Sequence, residues 1–339
     1  MKKLGSVLLL IAVLHSLVSC HSPAYTDPQN TDTSGYYPLT VTDQAGREVE
    51  IGKEPKRLLS SYYITTSLIM ALGIEDRLVG VEDNADFRPI YALSDPRILE
   101  LPNIGTVKEL DLEACAALSA DLAILPMKLK NSVENLEALG IPVFLVEPES
   151  QELLREMIRL VGMATNTSAR AEELIEFLQK QENDLNEKLS GADTPTVYLA
   201  GNSSLLQTAG NAMYQTDMIR LAGGQNVAAQ IEDAYWVEID YEQLLAWDPE
   251  YIILASNAKY TTEDVYTDPN LASCAAVMNG NVYQLPNDAE PWDSPVPGSI
   301  LGSLWLANVL HPSLLTDTDC AAIMDEYYES FYDFTYSQK

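Results

Sequence analysis

The chain has 339 residues and a hydrophobic fraction of 47%, which allows two domains with buried cores and excludes disorder as its general character. Its formal charge is −30, which argues against nucleic acid as a partner because phosphate backbones are also negative. The same charge disfavours strongly anionic ligands, unless a local basic pocket compensates for it.

The N-terminus has the order of a secretory signal. Two lysines precede an apolar run at residues 8–14, which is too short for a comfortable membrane helix. Cys20 follows small and apolar residues, and this arrangement resembles the bacterial lipoprotein box, which implies that Cys20 becomes the lipid-modified first residue. We therefore predict a lipoprotein signal peptide at 1–20 and, from its Thr, Asp, Pro and Ser content, a flexible tether at 21–36.

Short β-rich runs then alternate with helical patterns. The predicted strands are 57–61, 78–81, 123–126 and 143–146, and the predicted helices between them are 66–72 and 132–139. A glycine closes each helix. This β-α-β rhythm predicts an N-terminal α/β lobe at 37–166 with a mainly parallel sheet.

A different pattern separates this lobe from the rest of the chain. Apolar residues keep near-helical spacing among many charges, and no turn signal interrupts 168–189, which predicts one long, exposed linker helix at 167–190. The α/β rhythm resumes at 196–200, in a C-terminal lobe at 191–339. The predicted fold is two Rossmann-like α/β lobes joined by one long interdomain α-helix, a stiff connection that should limit closure.

An internal repeat relates the two lobes. Residues 110–125 align with 239–254 without a gap. In each copy an aspartate caps a helix that feeds a strand. A glutamate, Glu113 or Glu242, lies in the first helical turn, where the helix dipole favours negative charge.

Several segments carry a resemblance to a known family. They include Arg57-Leu58-Leu59-Ser60-Ser61, Leu221-Ala222-Gly223-Gly224-Gln225-Asn226 and Leu310-His311-Pro312. In their order and spacing they resemble ABC-importer binding proteins with a rigid interdomain helix, which capture ferric siderophores, cobalamin and haem. The match spans roughly 37–337. It implies a monomeric, membrane-anchored, extracytoplasmic binding protein, not an enzyme. Glu113 and Glu242 would dock it on a permease dimer with its ATPase.

The resemblance also implies a ligand cleft lined by aromatic side chains, which give large contact area at low entropic cost. The residues that follow predicted strands or turns, and so should reach that cleft, are Tyr62, Tyr63, Met127, Lys128, Tyr214, Trp236 and Trp292. A tryptophan at the position of Trp236 also occurs in the cobalamin-binding members.

Departures from the family pattern reduce the number of ligand classes that fit this sequence. Val107 and Asn84 stand where cobalamin-binding members carry aromatic residues. Haem would need an axial ligand, but nothing singles out one of the tyrosines or Met127, and His311 is far from the predicted cleft. Catecholate siderophores need several cations, and Lys128, Arg88 and Lys259 are the candidates. We therefore expect a weakly charged ferric chelate, such as a hydroxamate siderophore, and no resident cofactor.

Other function classes stay open at this stage. The 3 histidines of the chain disfavour capture of bare metal ions. No hydrolase or nucleotide-binding motif occurs, although 50 acidic residues leave room for a hydrolase with an unrecognised carboxylate site. A surface sensor without a transport role is a further alternative. The odd number of cysteines after Cys20, namely Cys115, Cys274 and Cys320, gives no disulfide framework.

Overall fold

The structure, a computed structural model, describes residues 35–231 and 235–339. The predicted signal peptide, the lipidated Cys20 and most of the predicted tether therefore lie outside the described residues. Residues Tyr37–Lys339 form one compact unit. Among the described helices, none has both the length and the apolar character that a membrane span requires.

The N-terminal lobe contains a hairpin and a four-stranded parallel sheet. Its strands are β1 Leu39–Thr42, β2 Glu48–Ile51, β3 Leu58–Ser60, β4 Leu78–Gly80, β5 Leu122–Pro126 and β6 Val143–Val146. The parallel sheet has the order β4-β3-β5-β6, and every residue of β5 and β6 is buried. Strands covered on both faces need continuous apolar runs, which is why the sequence predicts them so well.

The C-terminal lobe has a six-stranded sheet. Its strands are β7 Thr196–Ala200, β8 Gln207–Ala209, β9 Gln225–Asn226, β10 Trp236–Glu238, β11 Tyr251–Leu254 and β12 Val282–Gln284. The main order is β10-β8-β7-β11-β12, and β9 also pairs with β7. The β7, β9, β11 and β12 strands pair in parallel, whereas β8 and β10 add an antiparallel edge. Two α/β lobes with mainly parallel sheets are therefore confirmed.

Helices cover both sheets. They are α1 Tyr63–Ala71, α2 Pro89–Ser94, α3 Leu112–Ala117, α4 Val133–Ala138, α5 Gln151–Thr165, α6 Ser168–Lys188, α7 Tyr214–Leu221, α8 Tyr241–Trp247, α9 Thr262–Thr267, α10 Ala275–Met278, α11 Ile300–Leu310 and α12 Asp317–Tyr332. The α1 helix begins three residues before its predicted start. Its N-cap, Tyr62, makes no side-chain capping bond, so the sequence carries no start signal there.

The long linker helix is α6, but the prediction that it is exposed is wrong. It buries one face, with Leu174, Ile175 and Leu178 among the buried residues. It packs along α5 on one side and against α7 and α11 on the other. Many charges on its outer face conceal this burial in the sequence. The helix is thus held by both lobes along its length, which supports a stiff connection.

Close packing between α5 and α6 depends on Gly162. A Cβ atom there would lie 2.6 Å from the Cβ of Ala171. We expect Gly162→Val to lower the free energy of unfolding by about 2 kcal/mol, because overpacking forces the helices apart. Urea unfolding measures the change, and Gly52→Val, in open space, is the matched control. A loss no larger than that of the control would show that the helix pair tolerates separation.

Two of the segments that carry the family resemblance meet in the C-terminal lobe. Gly223 has a φ of +77°, and a Cβ atom there would lie 2.8 Å from Nε2 of His311. At Gly224 the equivalent atom would lie 2.9 Å from Leu310. These glycines and the Leu-His-Pro segment therefore serve packing.

Direct contacts also join the two lobes. The amide of Ile90 donates to the carbonyl of Ala289 at 3.1 Å, and Gln151 donates to the hydroxyl of Tyr214 at 2.7 Å. These contacts are consistent with limited closure on ligand binding, which stays a prediction. A strong decrease in the radius of gyration on addition of ligand, measured by small-angle scattering, would contradict it.

Candidate functional site

The carboxyl ends of the parallel strands carry the candidate site. In the N-terminal lobe, β3 leads to Tyr62, β5 to Met127 and β6 to Glu147; in the C-terminal lobe, β7 leads to Gly201 and β11 to Ser256. Ligands of open α/β sheets bind beyond the carboxyl ends of the strands, where loops and helix starts leave a crevice. The cleft between the lobes is therefore the place to look for a ligand.

The N-terminal wall of this cleft contains a small depression of about 40 Å³. Tyr62, Val107, Met127, Lys128 and Glu149 are among the residues that line it. Three of the predicted ligand residues are thus brought together. Val107, noted in the sequence as a replaced aromatic, lies in the same wall, where its smaller side chain leaves room.

Tyr63 occupies the floor of the cleft. Its ring makes an edge contact with Tyr62, with centroids 5.4 Å apart, and the guanidinium of Arg88 lies 4.0 Å above its ring centroid. Burial raises the pKa of its hydroxyl, and Ser294 of the C-terminal lobe and Arg88 oppose the shift. Tyr62 and Tyr63, both half-buried, therefore form one aromatic cluster with Arg88 at the cleft.

The electrostatics of this wall keep its tyrosines neutral. Burial, and then the neighbouring Tyr63 and Glu149, raise the pKa of Tyr62 well above its ordinary value. Burial also raises the pKa of the Glu149 carboxyl, while Lys128 opposes the shift. Tyr62 thus presents a phenol, which can donate a hydrogen bond and stack on a planar ligand, at any physiological pH.

The C-terminal wall centres on Trp236, whose side chain is 38% exposed. Its ring packs over Gly201, where an added Cβ atom would lie 3.0 Å from the indole. The Gly201 carbonyl accepts a hydrogen bond from Tyr260 at 2.7 Å. Next along the chain, the Asn202 carbonyl accepts from the amide of Lys259 at 3.0 Å. The wall thus combines one open aromatic face with neutral polar groups.

Three buried polar atoms at the site lack a partner among the described residues, and sequence reasoning named only the residue of one of them, Arg88. Oγ of Ser61, Nε of Arg88 and Oδ1 of Asn202 find no hydrogen-bond partner within 35–231 and 235–339. Buried polar atoms are normally paired, so atoms left free beside a cleft are candidate ligand contacts. Ser61 and Asn202 stand just after β3 and β7. This equivalent placement is the feature of the sequence that could have identified them as candidate ligand contacts.

Two of the predicted ligand residues are not on the cleft surface. Trp292 is 1% exposed, and its indole donates to the hydroxyl of Tyr328 at 2.9 Å. Tyr214 is also 1% exposed, and its hydroxyl accepts from Gln151. Both predictions are wrong because tertiary packing encloses segments whose polar neighbours suggest loops. Glu290 and Asp293, which flank Trp292, are themselves buried.

Glu113 and Glu242 occupy equivalent places in the two lobes. Each is exposed in the first turn of its helix, α3 or α8. Asp111 caps α3 by accepting from Ala114 at 2.9 Å, and Asp240 caps α8 by accepting from Gln243 at 2.8 Å. Each helix runs antiparallel to the strand that follows it in the chain. It therefore starts at the carboxyl edge of the sheet, which is the edge that faces the cleft.

The repeat extends further than the sequence analysis recognised. Glu109 and Glu238 are exposed and stand at equivalent positions, two residues before the capping aspartates. Each rim therefore carries the pattern Glu-x-Asp-x-Glu. Aligning one more residue at the start of the repeat would have revealed it.

The metal-ligating side chains of the described residues are dispersed, and their thiols are buried. Within it, no group of three or more His, Cys, Asp or Glu side chains is arranged to hold a metal ion. Cys115, Cys274 and Cys320 are buried free thiols. Burial raises the pKa of Cys115 and of Cys320 to about 11, so neither is an activated thiolate.

Comparison with known proteins gives a consistent set of relatives. The family described as periplasmic binding protein matches residues 60–289. MolA, the molybdate-binding protein of Haemophilus influenzae, is 22% identical over 323 residues, covering 87% of this chain and 91% of MolA. YvrC of Bacillus subtilis, an uncharacterised ABC transporter substrate-binding lipoprotein, is 24% identical over 297 residues, covering 85% of this chain and 91% of YvrC.

Solved structures share the fold. A periplasmic solute binding protein from Veillonella parvula superposes with a TM-score of 0.76 at 25% identity, covering 88% of this chain and 93% of that one. MolA with bound molybdate superposes with a TM-score of 0.78 at 22% identity, covering 88% and 99%. The architecture of two lobes around a cleft is thus common to all of them.

Proposed function

The chain belongs to the periplasmic binding protein family, and from that premise we propose that it captures a weakly charged metal chelate of the ferric hydroxamate siderophore class between its lobes. It is the extracytoplasmic substrate-binding component of an ABC importer, as its relatives are. That relatives are transport components supports a binding role over the hydrolase alternative. The same relationship favours a transport role over that of a surface sensor.

One observation carries the ligand proposal. The cleft presents an aromatic residue on each side, Tyr62 and Trp236, together with neutral polar groups and the opposed charges of Lys128 and Glu149. A ferric trihydroxamate is a bulky, near-neutral complex whose outer surface is carbon and oxygen. Aromatic faces cover the carbon, while Ser61 and Asn202 offer buried polar atoms to the oxygen.

Charge argues against a strongly anionic chelate. Arg88 stacks on Tyr63, and Lys128 lies near the carboxylate of Glu149. One of the three candidate cations, Lys128, is therefore already opposed by an acidic neighbour, which leaves Arg88 and Lys259. A trianionic or more negative ligand would leave uncompensated charge in the cleft.

The alternatives in the same role have less support. A tyrosine that ligates haem iron must lose its proton, and burial with nearby carboxylates opposes this at Tyr62. For cobalamin, Trp236 is the remaining aromatic of the expected pair, since Val107 occupies the other place. Haem and cobalamin are therefore both included in the calorimetric titration described below.

We further propose the membrane attachment and the division of the chain. Cys20 would carry the lipid that anchors the protein outside the cell membrane, and residues 21–36 would hold the body away from it. The relative YvrC is named as a lipoprotein, which supports this proposal. The lobes would be divided as 37–166 and 191–339, with the linker at 167–190 and with one chain acting as a monomer.

Direct titration tests the ligand proposal. The purified chain lacking its signal peptide is titrated calorimetrically with a ferric trihydroxamate, cyanocobalamin, haemin and, because MolA is a relative, molybdate. We expect tight 1:1 binding of the ferric chelate and weaker or no binding of the others. Tight binding of cyanocobalamin, haemin or molybdate without binding of the ferric chelate would overturn the ligand class while leaving the transport role intact.

A further inference from the structure

A buried carboxylate lies at the contact between the lobes. Glu290, in the segment between β12 and α11, is 1% exposed. Ser67 of α1 donates to its Oε1, and Tyr328 of α12 donates to its Oε2 at 3.2 Å. Tyr332 of α12 lies 3.5 Å from Oε1 and 2.9 Å from the Ser67 hydroxyl. One carboxylate thus accepts hydrogen bonds from hydroxyl groups on a helix of each lobe.

The hydrogen bonds around this carboxylate run in one direction. The indole of Trp292 donates to Tyr328 at 2.9 Å, and Tyr328 donates to Glu290. On the other side, Tyr332 can donate to Ser67, which donates to Glu290. The donors therefore converge on an acceptor, while Glu290 takes part in no ion pair found among the described residues.

Burial without a cation sets the protonation of this group. Burial raises the pKa of the Glu290 carboxyl to about 7, against the opposing effect of its hydroxyl donors. The titratable groups that face it, Tyr327, Tyr328 and Tyr332, have pKa values raised well above the ordinary value, mainly by burial. They stay neutral, so Glu290 is the member of this cluster that changes charge near neutral pH.

We propose that Glu290, Ser67, Tyr328 and Tyr332 form a proton-sensitive clasp between the lobes, which holds α1 against α12 most firmly with Glu290 neutral and loosens as Glu290 ionises. When the contact opens, water reaches Glu290 and its pKa falls towards the ordinary value, so opening releases a proton. The stability of the contact is therefore full at acid pH and is lost as pH rises towards and through 7.

The clasp bears on the ligand site through α1. This helix begins at Tyr63, whose ring contacts Tyr62 and lies below the guanidinium of Arg88 at the cleft, and it carries Ser67 one turn further on. Loosening the contact between α1 and α12 frees the element that positions Tyr62 and Tyr63. The inference concerns the lobe contact itself and does not depend on which ligand the cleft holds.

Hydrogen exchange across pH tests the clasp. Amide exchange of 63–71 and 317–332 is measured by mass spectrometry from pH 5.5 to 8 and corrected for intrinsic rates. In the wild-type chain, protection of both segments should fall about tenfold between pH 6 and pH 8, as linkage to one proton requires. In Glu290→Gln, which mimics the neutral carboxyl, the fall in protection of 317–332 should disappear, whereas 63–71 also contacts Glu82 through Thr66. Retention of the wild-type pH dependence of 317–332 in Glu290→Gln, or its absence in the wild type, overturns the proposal.

A matched control is available inside one lobe. Glu82 is also a buried carboxylate held by hydroxyls, with Thr66 at 2.7 Å and Tyr91 at 2.5 Å, and burial likewise raises its pKa. Because its partners lie within the N-terminal lobe, Glu82→Gln should leave the pH dependence of 317–332 unchanged. Loss of that dependence in the control would assign the effect to buried carboxylates in general and overturn the clasp.

A second variant keeps the proposal testable if Glu290→Gln fails to fold. Ser67→Ala removes a donor that favours the ionised carboxyl, so the pKa of Glu290 should rise further. The midpoint of the fall in protection should then move to higher pH. A midpoint that stays in place, or moves to lower pH, contradicts the clasp.

Discussion

Reversing both rim charges, with Glu113→Arg and Glu242→Arg in one chain, is expected to abolish ligand uptake while leaving ligand affinity within about twofold of the wild type. The reason is geometric. Both glutamates are exposed in the first turns of equivalent helices and stand at the rims of the cleft. A permease with basic residues would be repelled by both lobes, since like charges across an interface cost several kcal/mol. Uptake by a strain that lacks the native chain measures the first effect, and calorimetry measures the second.

The chain offers a control that matches residue type, helix position, sheet edge and net charge, and that differs only in lying outside the repeat. Glu134 of α4 and Glu263 of α9 are exposed glutamates in first turns, one in each lobe. Neither belongs to the repeat. The double variant Glu134→Arg with Glu263→Arg should therefore transport normally. If both double variants lose uptake equally, the loss is due to the change in net charge. Glu113 and Glu242 would then not be docking residues.

Removing either open aromatic face of the cleft is expected to weaken ligand binding by about 30-fold, the result of losing about 2 kcal/mol of contact at a central aromatic residue. The variants are Tyr62→Ala and Trp236→Ala. Tyr62→Phe keeps the ring and removes the hydroxyl, so it should lose far less affinity if stacking dominates. Calorimetric titration with the ferric trihydroxamate measures all three.

Tyr251→Ala is the control for these aromatic variants. Tyr251 is half-buried and stacks on Tyr283 with centroids 6.4 Å apart. It stands at the first residue of β11, at the opposite end of the strand from the cleft. Its loss should leave the dissociation constant unchanged. If Tyr62→Ala and Trp236→Ala behave like this control, the ligand binds elsewhere.

The contrast between well predicted and badly predicted parts has a physical basis. The β5 and β6 strands are buried on both faces, so their apolar runs are visible in a single sequence. The repeated helix starts were equally readable, because an aspartate cap and a first-turn glutamate act locally. These local signals sufficed for the parallel strands, for the existence of the linker helix and for the helix starts that carry Glu113 and Glu242.

The errors arise where burial depends on distant partners. The segment around Trp292 contains acids and prolines and is typical of an exposed loop. It is buried because its carboxylates find donors far away in the chain, as Glu290 does at Ser67, 223 positions earlier. Tyr214 is enclosed in the same way by Gln151, 63 positions away. No local pattern records such pairings, and no local pattern distinguishes a cleft tyrosine from a buried one.

The central claim is that the cleft between the lobes holds a metal chelate against Tyr62 and Trp236. Native mass spectrometry of the protein purified from its own host tests this most directly, compared with the double variant Tyr62→Ala with Trp236→Ala purified in the same way. We expect one metal-containing small molecule per wild-type chain and its loss from the variant. A wild-type chain that carries a metal-free ligand, or a variant that retains the same molecule at the same occupancy, would contradict the claim.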